Sequence, residues 1–332
     1  MRKYKIIVGM LILTAIVTVS FHVTNGTKNQ KTFYIGTPDA AGALGTLVSL
    51  AQEKGYIKEE LDPYGYTISV KGFSGAGPAV NEALVANAID LAVYADVPAI
   101  SARSKGAQTS LIAIDNGDVH CAIVVRADAG YETINDLKGK KVALPKGTYM
   151  QRYFELLVQA NQLTPDDFQV VQMTSDAESA ILSGAVDAFV WTETSILRLM
   201  EKNDGLTIFD TTRDHPQWSG QSLLVGRDEI LNRYPELAPA LVRAVTRASE
   251  FALENPKEAT GILADVNQMS PESMAPALEF EDETSFQVRY AVDVSDQMKE
   301  KLNAVKDFLL EKQFISKDFY IEEWIVAHEG SD

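Results

Sequence analysis

Cysteine is almost missing from this chain of 332 residues, where Cys121 stands alone. A single thiol cannot form an internal disulfide, so packing must hold the fold, and Cys121 is expected to pack as a small apolar residue. Histidine is nearly as scarce. His22, His120, His215 and His328 lie far apart, with no loop or helical spacing that gathers ligands for zinc or another metal, and no cofactor is expected. Positive charge is short as well: 30 lysines and arginines face 46 aspartates and glutamates. A chain with that balance does not seek nucleic acid or anionic lipid.

Long uncharged runs are limited to one. Arg2, Lys3 and Lys5 precede the stretch from Ile6 to Phe21, which is the layout of a secretory signal and falls short of the ~20 apolar residues a membrane helix needs. Residues 1–26 therefore read as a signal peptide or an uncleaved amino-terminal anchor, with the rest on the periplasmic or extracellular face of the membrane. No cysteine follows the apolar run, so no lipobox is present. Beyond residue 26 the chain keeps 27 basic against 46 acidic side chains over 306 residues. That length exceeds what one compact core usually needs, and two lobes are expected.

Catalytic motifs are missing too. Gly72 to Ala76 reads GFSGA and lacks the glycine a nucleophile elbow needs at Ala76. Lys140 and Lys141 follow Gly139 without the spacing of a phosphate-cradling nucleotide loop, and Gly36, Gly42 and Gly45 miss the dinucleotide fingerprint.

What is present is alternation. From Thr32 onward, short strand-like and helix-like segments follow one another, which argues for an α/β fold. Three units repeat one theme. The strand Phe33 to Gly36 leads through Thr37, Pro38, Asp39 and Ala40 to a helix from Leu44. The strand Thr67 to Gly72 leads through Phe73, Ser74, Gly75 and Ala76 to Pro78 in a first turn, and Asp90 to Tyr94 leads through Ala95 and Asp96 to a helix carrying Pro98. Open parallel sheets present ligands at the carboxyl ends of their strands, so the three loops should share one edge.

A second block begins at the strand Cys121 to Val125, after an expected turn at Asn116 to Asp118. Its central segment is DLKGKKVALPKGT, residues 136 to 148, in which a turn, a short strand and the loop Lys146, Gly147, Thr148 run into a helix from Tyr149. The unpaired amides of such a helix start form an anion receptor. The block continues through Gln169 to Gln172, Ala177 to Ser183 and Asp187 to Val190, and closes with a loop at Asp210 to Ser219. From Asp228 the pattern is mainly helical and reads as cover for a lobe already made.

The Ala-Gly loop, the Phe-Ser-Gly loop, ALVANAIDLAVYADVPAI at 83–100, DLKGKKVALPKGT at 136–148 and SAILSGAVDAFVWTET at 179–194 occur in one order. Together they resemble the solute-binding proteins of ABC importers for aliphatic sulfonates, taurine and nitrate, over roughly Thr32 to Val225. The resemblance implies a type II periplasmic-binding-protein fold, two α/β lobes joined by a two-segment hinge that close on a solute. It places one lobe at 32–118 and 220–332, the other at 119–219. Carried over by position, the ligand-binding residues are Thr37, Pro38, Asp39, Ala40, Ser74, Gly75, Ala76, Ala95 and Asp96 from the first lobe. The second lobe contributes Lys146, Gly147, Thr148, Tyr149, Trp191 and Glu193. Many relatives read Trp-Asp-Pro or Trp-Glu-Pro where this chain has Trp191, Thr192, Glu193 and Thr194.

The implied function is capture of a small organic anion, an aliphatic sulfonate or taurine, and delivery to an ABC permease by a monomeric protein that converts nothing. Phe73, Tyr94, Tyr149 and Trp191 could line the cavity around an organic tail. Asp39, Asp96 and Glu193 next to an anion would favour a zwitterion, unless they act as helix caps. Nitrate, bicarbonate or a thiamine-pyrimidine precursor are the alternatives within the class. An enzyme resembling a pyrimidine-precursor synthase is the alternative outside it, and the absence of a histidine from the expected pocket counts against it.

Overall fold

The computed structural model describes residues 30–278 and 287–326. The leader segment therefore lies outside the described residues. In the first half the order is β1 (Lys31–Thr37), α1 (Leu47–Glu53), α2 (Tyr56–Leu61), β2 (Tyr66–Gly72), α3 (Ala76–Val85), β3 (Leu91–Ala95), α4 (Asp96–Ser104) and β4 (Thr109–Val119). Then come β5 (Cys121–Arg126), β6 (Lys141–Leu144), α5 (Tyr149–Ala160), β7 (Gln169–Gln172), α6 (Ala177–Ser183), β8 (Ala188–Thr192), α7 (Glu193–Glu201) and β9 (Leu206–Thr211). The chain returns through β10 (Gly220–Arg227) and ends in α8 (Asp228–Arg233), α9 (Leu237–Glu254), α10 (Pro256–Val266), α11 (Pro271–Leu278) and a last helix, α12 (Asp296–Glu311).

These strands form two five-stranded sheets, ordered β2-β1-β3-β10-β4 and β7-β6-β8-β5-β9. The two orders are the same pattern. In each sheet three parallel strands sit beside one antiparallel strand that has arrived from the other lobe: β10 runs against β3 and β4, and β5 runs against β8 and β9. The chain thus crosses between lobes twice, from β4 to β5 through His120 and from β9 to β10 through residues 212–219. This is the two-lobed α/β architecture with a two-segment hinge that the resemblance implied.

Helical crossovers cover the faces, which is why central strands are continuously apolar rather than alternating. β3, Leu91–Ala95, is buried through its first four residues. On α9 the apolar stripe Leu237, Leu241, Ala244, Val245, Ala248 and Ala252 follows helical spacing and packs into one core cluster with α1 and α2. A left-handed glycine, Gly184 at φ +74°, stops α6.

Two local expectations fail for stated reasons. Asn116 to Asp118 is not a turn; β4 continues to Val119 and pairs with β10. Side-chain partners override the turn propensity there: Asn116 Nδ2 donates to Thr46 Oγ1 at 3.0 Å and Asp118 accepts from Ser219 Oγ at 2.6 Å. Helix α1 starts at Leu47 rather than Leu44, because the buried Asp115 carboxylate accepts the amides of Thr46 and Val48 and fixes the start. The last segment returns to the first sheet, where Trp324 is fully buried and Ile325 bridges Leu111.

Candidate binding site

A cavity of about 380 Å³ lies between the lobes, in the range of sites for drug-sized ligands. The loops after β1, β2 and β3 all reach it, as carboxyl-edge logic requires. Thr37, Pro38, Asp39, Ala40, Ser74, Ala76 and Ala95 line it from the first lobe; Thr148, Tyr149, Trp191 and Glu193 line it from the second. Four expected residues are elsewhere. Gly75 and Asp96 do not form its wall, Lys146 is exposed, and Gly147 belongs to a different cavity.

The carboxylates of the cleft are already engaged. Asp39 Oδ1 accepts the amides of Ala41 and Gly42 at 2.7 and 3.0 Å, closing its own loop. Glu193, buried at the first position of α7, takes a two-point ion pair from Arg213 at 2.6 and 2.9 Å. Glu178 faces Arg198 at 3.6 Å. Asp118 is bonded by Ser219 and His120, with Lys301 at 3.5 Å and Arg289 at 3.7 Å. Burial acts to raise the Asp118 carboxyl, but His120, Lys301 and Ser219 outweigh it and hold it well below the usual carboxylate range. Asp96, fully buried behind the wall, accepts the amides of Gln221 and Val97 and ties β10 to α4.

The donors show the reverse pattern. Helix starts at α1, α4 and α7 are served by Asp115, Asp96 and Thr192. No side chain caps α3 or α5. These two starts approach each other from opposite lobes, since a Cβ on Gly147 would lie 3.5 Å from Pro78 Cγ. The phenol oxygens of Tyr94 and Tyr149, both on residues lining the cavity, are buried with no hydrogen-bond partner. A buried hydroxyl without a partner costs about 1–3 kcal/mol. Burial pushes both phenols well above their ordinary range, and for Tyr149 the neighbouring Cys121, Asp96 and Glu193 add to it, so they remain donors. Lys146 and Gly147 offer less than their positions promised: their amides are taken by Gln172 and Gln151 side chains at 2.6 and 2.7 Å.

Several wall residues carry no recognisable sequence signal. Leu263, Asn267, Met274, Ala277 and Leu278 come from α10, the residue that ends it, and α11, in the region read as lobe cover. They reach the cleft because α11 packs against α7 and the second crossing segment: the Ser270 amide donates to Glu201 at 3.1 Å and Arg213 donates to the Pro276 carbonyl at 2.5 Å. Of the four aromatics that could line the cavity, Phe73 packs against the core. His120, not expected there, is in the wall with both ring nitrogens engaged, by Thr212 at 2.9 Å and Asp118 at 3.0 Å. Cys121 is fully buried among apolar neighbours. Among the described residues no three His, Cys, Asp or Glu side chains gather as metal ligands, and no helix is long and apolar enough to cross a membrane.

Residues 45–259 match the profile of the NMT1/THI5-like family. The chain belongs to this family. It is 26% identical over 221 residues to a protein of Brucella abortus (strain 2308) provisionally named a binding protein, and spans 66% of that relative's length, as of its own. Identity is 23% over 269 residues, 79% of each chain, to a Bacillus subtilis (strain 168) protein provisionally named an aliphatic sulfonates-binding protein. A 4-amino-5-hydroxymethyl-2-methylpyrimidine phosphate synthase of Aspergillus parasiticus is 25% identical over 224 residues, 63% of each chain. In fold, the chain is similar to the periplasmic aliphatic sulphonate-binding protein of Escherichia coli, with a TM-score of 0.67 at 20% identity over 89% of this chain and 97% of that one. The alkanesulfonate-binding protein of Xanthomonas axonopodis pv. citri, bound to MOPS, gives 0.70 at 17% identity over 89% and 98%. These neighbours share the type II periplasmic-binding-protein fold.

Proposed function

We propose that the protein is an extracytoplasmic solute-binding component of an ABC importer that captures an organic sulfonate with an apolar tail. One observation carries this reading: every carboxylate lining the cleft is engaged, while two helix starts from opposite lobes are left uncapped. Each helix start favours an anion by about 0.3–1 kcal/mol, or up to ~2 when partly buried. With Asp118, Glu178 and Glu193 facing cations and Asp39 bonded to the amides of its own loop, the motive for a zwitterion such as taurine weakens. The wall of Trp191, Met274, Leu278 and Leu263 suits a hydrocarbon tail better than nitrate or bicarbonate. The names of the sulfonate-binding relatives support the same class. Capture without conversion, action as a monomer and delivery to a membrane permease complete the proposal.

Calorimetry with a series from ethanesulfonate to hexanesulfonate tests it. Affinity should climb with tail length, by up to ~0.8 kcal/mol per buried methylene, and Trp191→Ala should flatten the slope. Tighter binding of taurine or nitrate than of hexanesulfonate would refute it. A second reading, a planar pyrimidine held among Tyr94, Tyr149 and Trp191, is favoured by the synthase relative. Saturation by an aminopyrimidine with no heat from any sulfonate would select that reading.

A further inference from the structure

A second cavity, of about 190 Å³, opens between α4 of the first lobe, α5 of the second and the last helix α12. Of its lining residues it shares only Thr148 with the cleft. Arg152 forms part of its wall and is 5% exposed. The guanidinium donates from Nη1 to the Trp218 carbonyl at 3.0 Å and lies over the Phe308 ring at 5.8 Å. Its Nε has no acceptor. No carboxylate among the described residues contacts it; Asp96 acts on it only through space, and burial shifts Asp96 toward its neutral form. A buried cation without a contacting anion is costly and invites one. Around it stand Lys105, exposed and with no partner among the described residues, and Ser101.

We propose that this cavity is a binding site for a compact anion, of the size of sulfate, phosphate or a halide, held by Arg152, Lys105 and Ser101 across the two lobes. The site stands apart from the cleft and does not depend on the cleft ligand. Its occupant replaces the counter-charge that the fold withholds from Arg152.

Thermal unfolding of the whole protein in sodium sulfate at fixed ionic strength tests the proposal. The wild type should show a saturable rise in Tm; unspecific stabilisation by sulfate rises without saturation and is common to all variants. Ser101→Asp supplies a carboxylate in place of the anion, so it should raise Tm without sulfate and abolish the saturable part. Arg152→Met should abolish it as well. Should that variant not fold, Lys105→Ala, at an exposed position, should weaken the sulfate midpoint roughly fivefold. Crystals soaked in bromide should show an anomalous peak beside Arg152. The proposal is overturned by a wild type with no saturable response, or by a response that survives Ser101→Asp and disappears in Ser74→Asp, which would place the anion in the cleft.

Discussion

Ser74→Asp separates the stability of this protein from its binding. Ser74 is exposed at the mouth of the cleft, just before the uncapped start of α3. An aspartate there complements the helix dipole, adding about 0.3–1 kcal/mol, or roughly 1–3 °C in Tm. It also sets a negative charge beside the site proposed for the sulfonate head. Two unit charges ~4 Å apart repel by about 4 kcal/mol at an effective dielectric of ~20. Solvent screening at an exposed position reduces this to about 2 kcal/mol, an affinity loss of roughly 30-fold. Ser74→Asn, nearly the same shape without the charge, should stay within about threefold of wild type. Scanning fluorimetry and titration calorimetry with hexanesulfonate read the two quantities. An Asp variant that binds as well as Asn, or an Asn variant that loses as much as Asp, refutes the placement of the head group at α3.

Other consequences follow from the engaged carboxylates and the left-handed glycine before α1. Arg213→Met leaves Glu193 buried without its two-point partner and should cost about 3–5 kcal/mol in denaturant unfolding, much of it recovered by adding Glu193→Gln. Asp118 has a folded-state pKa below its unfolded value, so its contribution is present above about pH 4 and lost as pH falls further. Asp118→Asn should therefore be less stable than wild type at pH 7, and stability curves against pH should converge on acidification. Gly45 has φ +75°, and a Cβ there would lie 2.0 Å from Asp115 Oδ2, the carboxylate that fixes the start of α1. Gly45→Ala should lose about 2–4 kcal/mol through left-handed strain and a displaced cap, measured by urea unfolding.

Much of this was legible because carboxyl-edge loops obey local rules. Strand β7 and helix α6 fall on the residues their patterns mark, and Thr37, Ser74, Ala95 and Thr148 meet in one cavity because each ends or follows a parallel strand. The partners of the acids were not legible, since they come from far along the chain: Glu193 pairs with Arg213, Asp115 with the amides at the start of α1, and Asp96 with the Gln221 amide of β10. Distance also hid Met274 and Leu278, whose helix is amphipathic like any lobe cover and becomes a cleft wall only by crossing to α7. His120 escaped notice because an isolated histidine beside an acid reads as surface, whereas here it lies on a crossing strand between Asp118 and Thr212.

A crystal structure of the complex with hexanesulfonate tests the central claim most directly. The account predicts a sulfonate within hydrogen-bonding distance of the first amides of both α3 and α5, with the tail against Trp191 and Met274. A head group seated on Arg198 or Arg289, away from both helix starts, would contradict it.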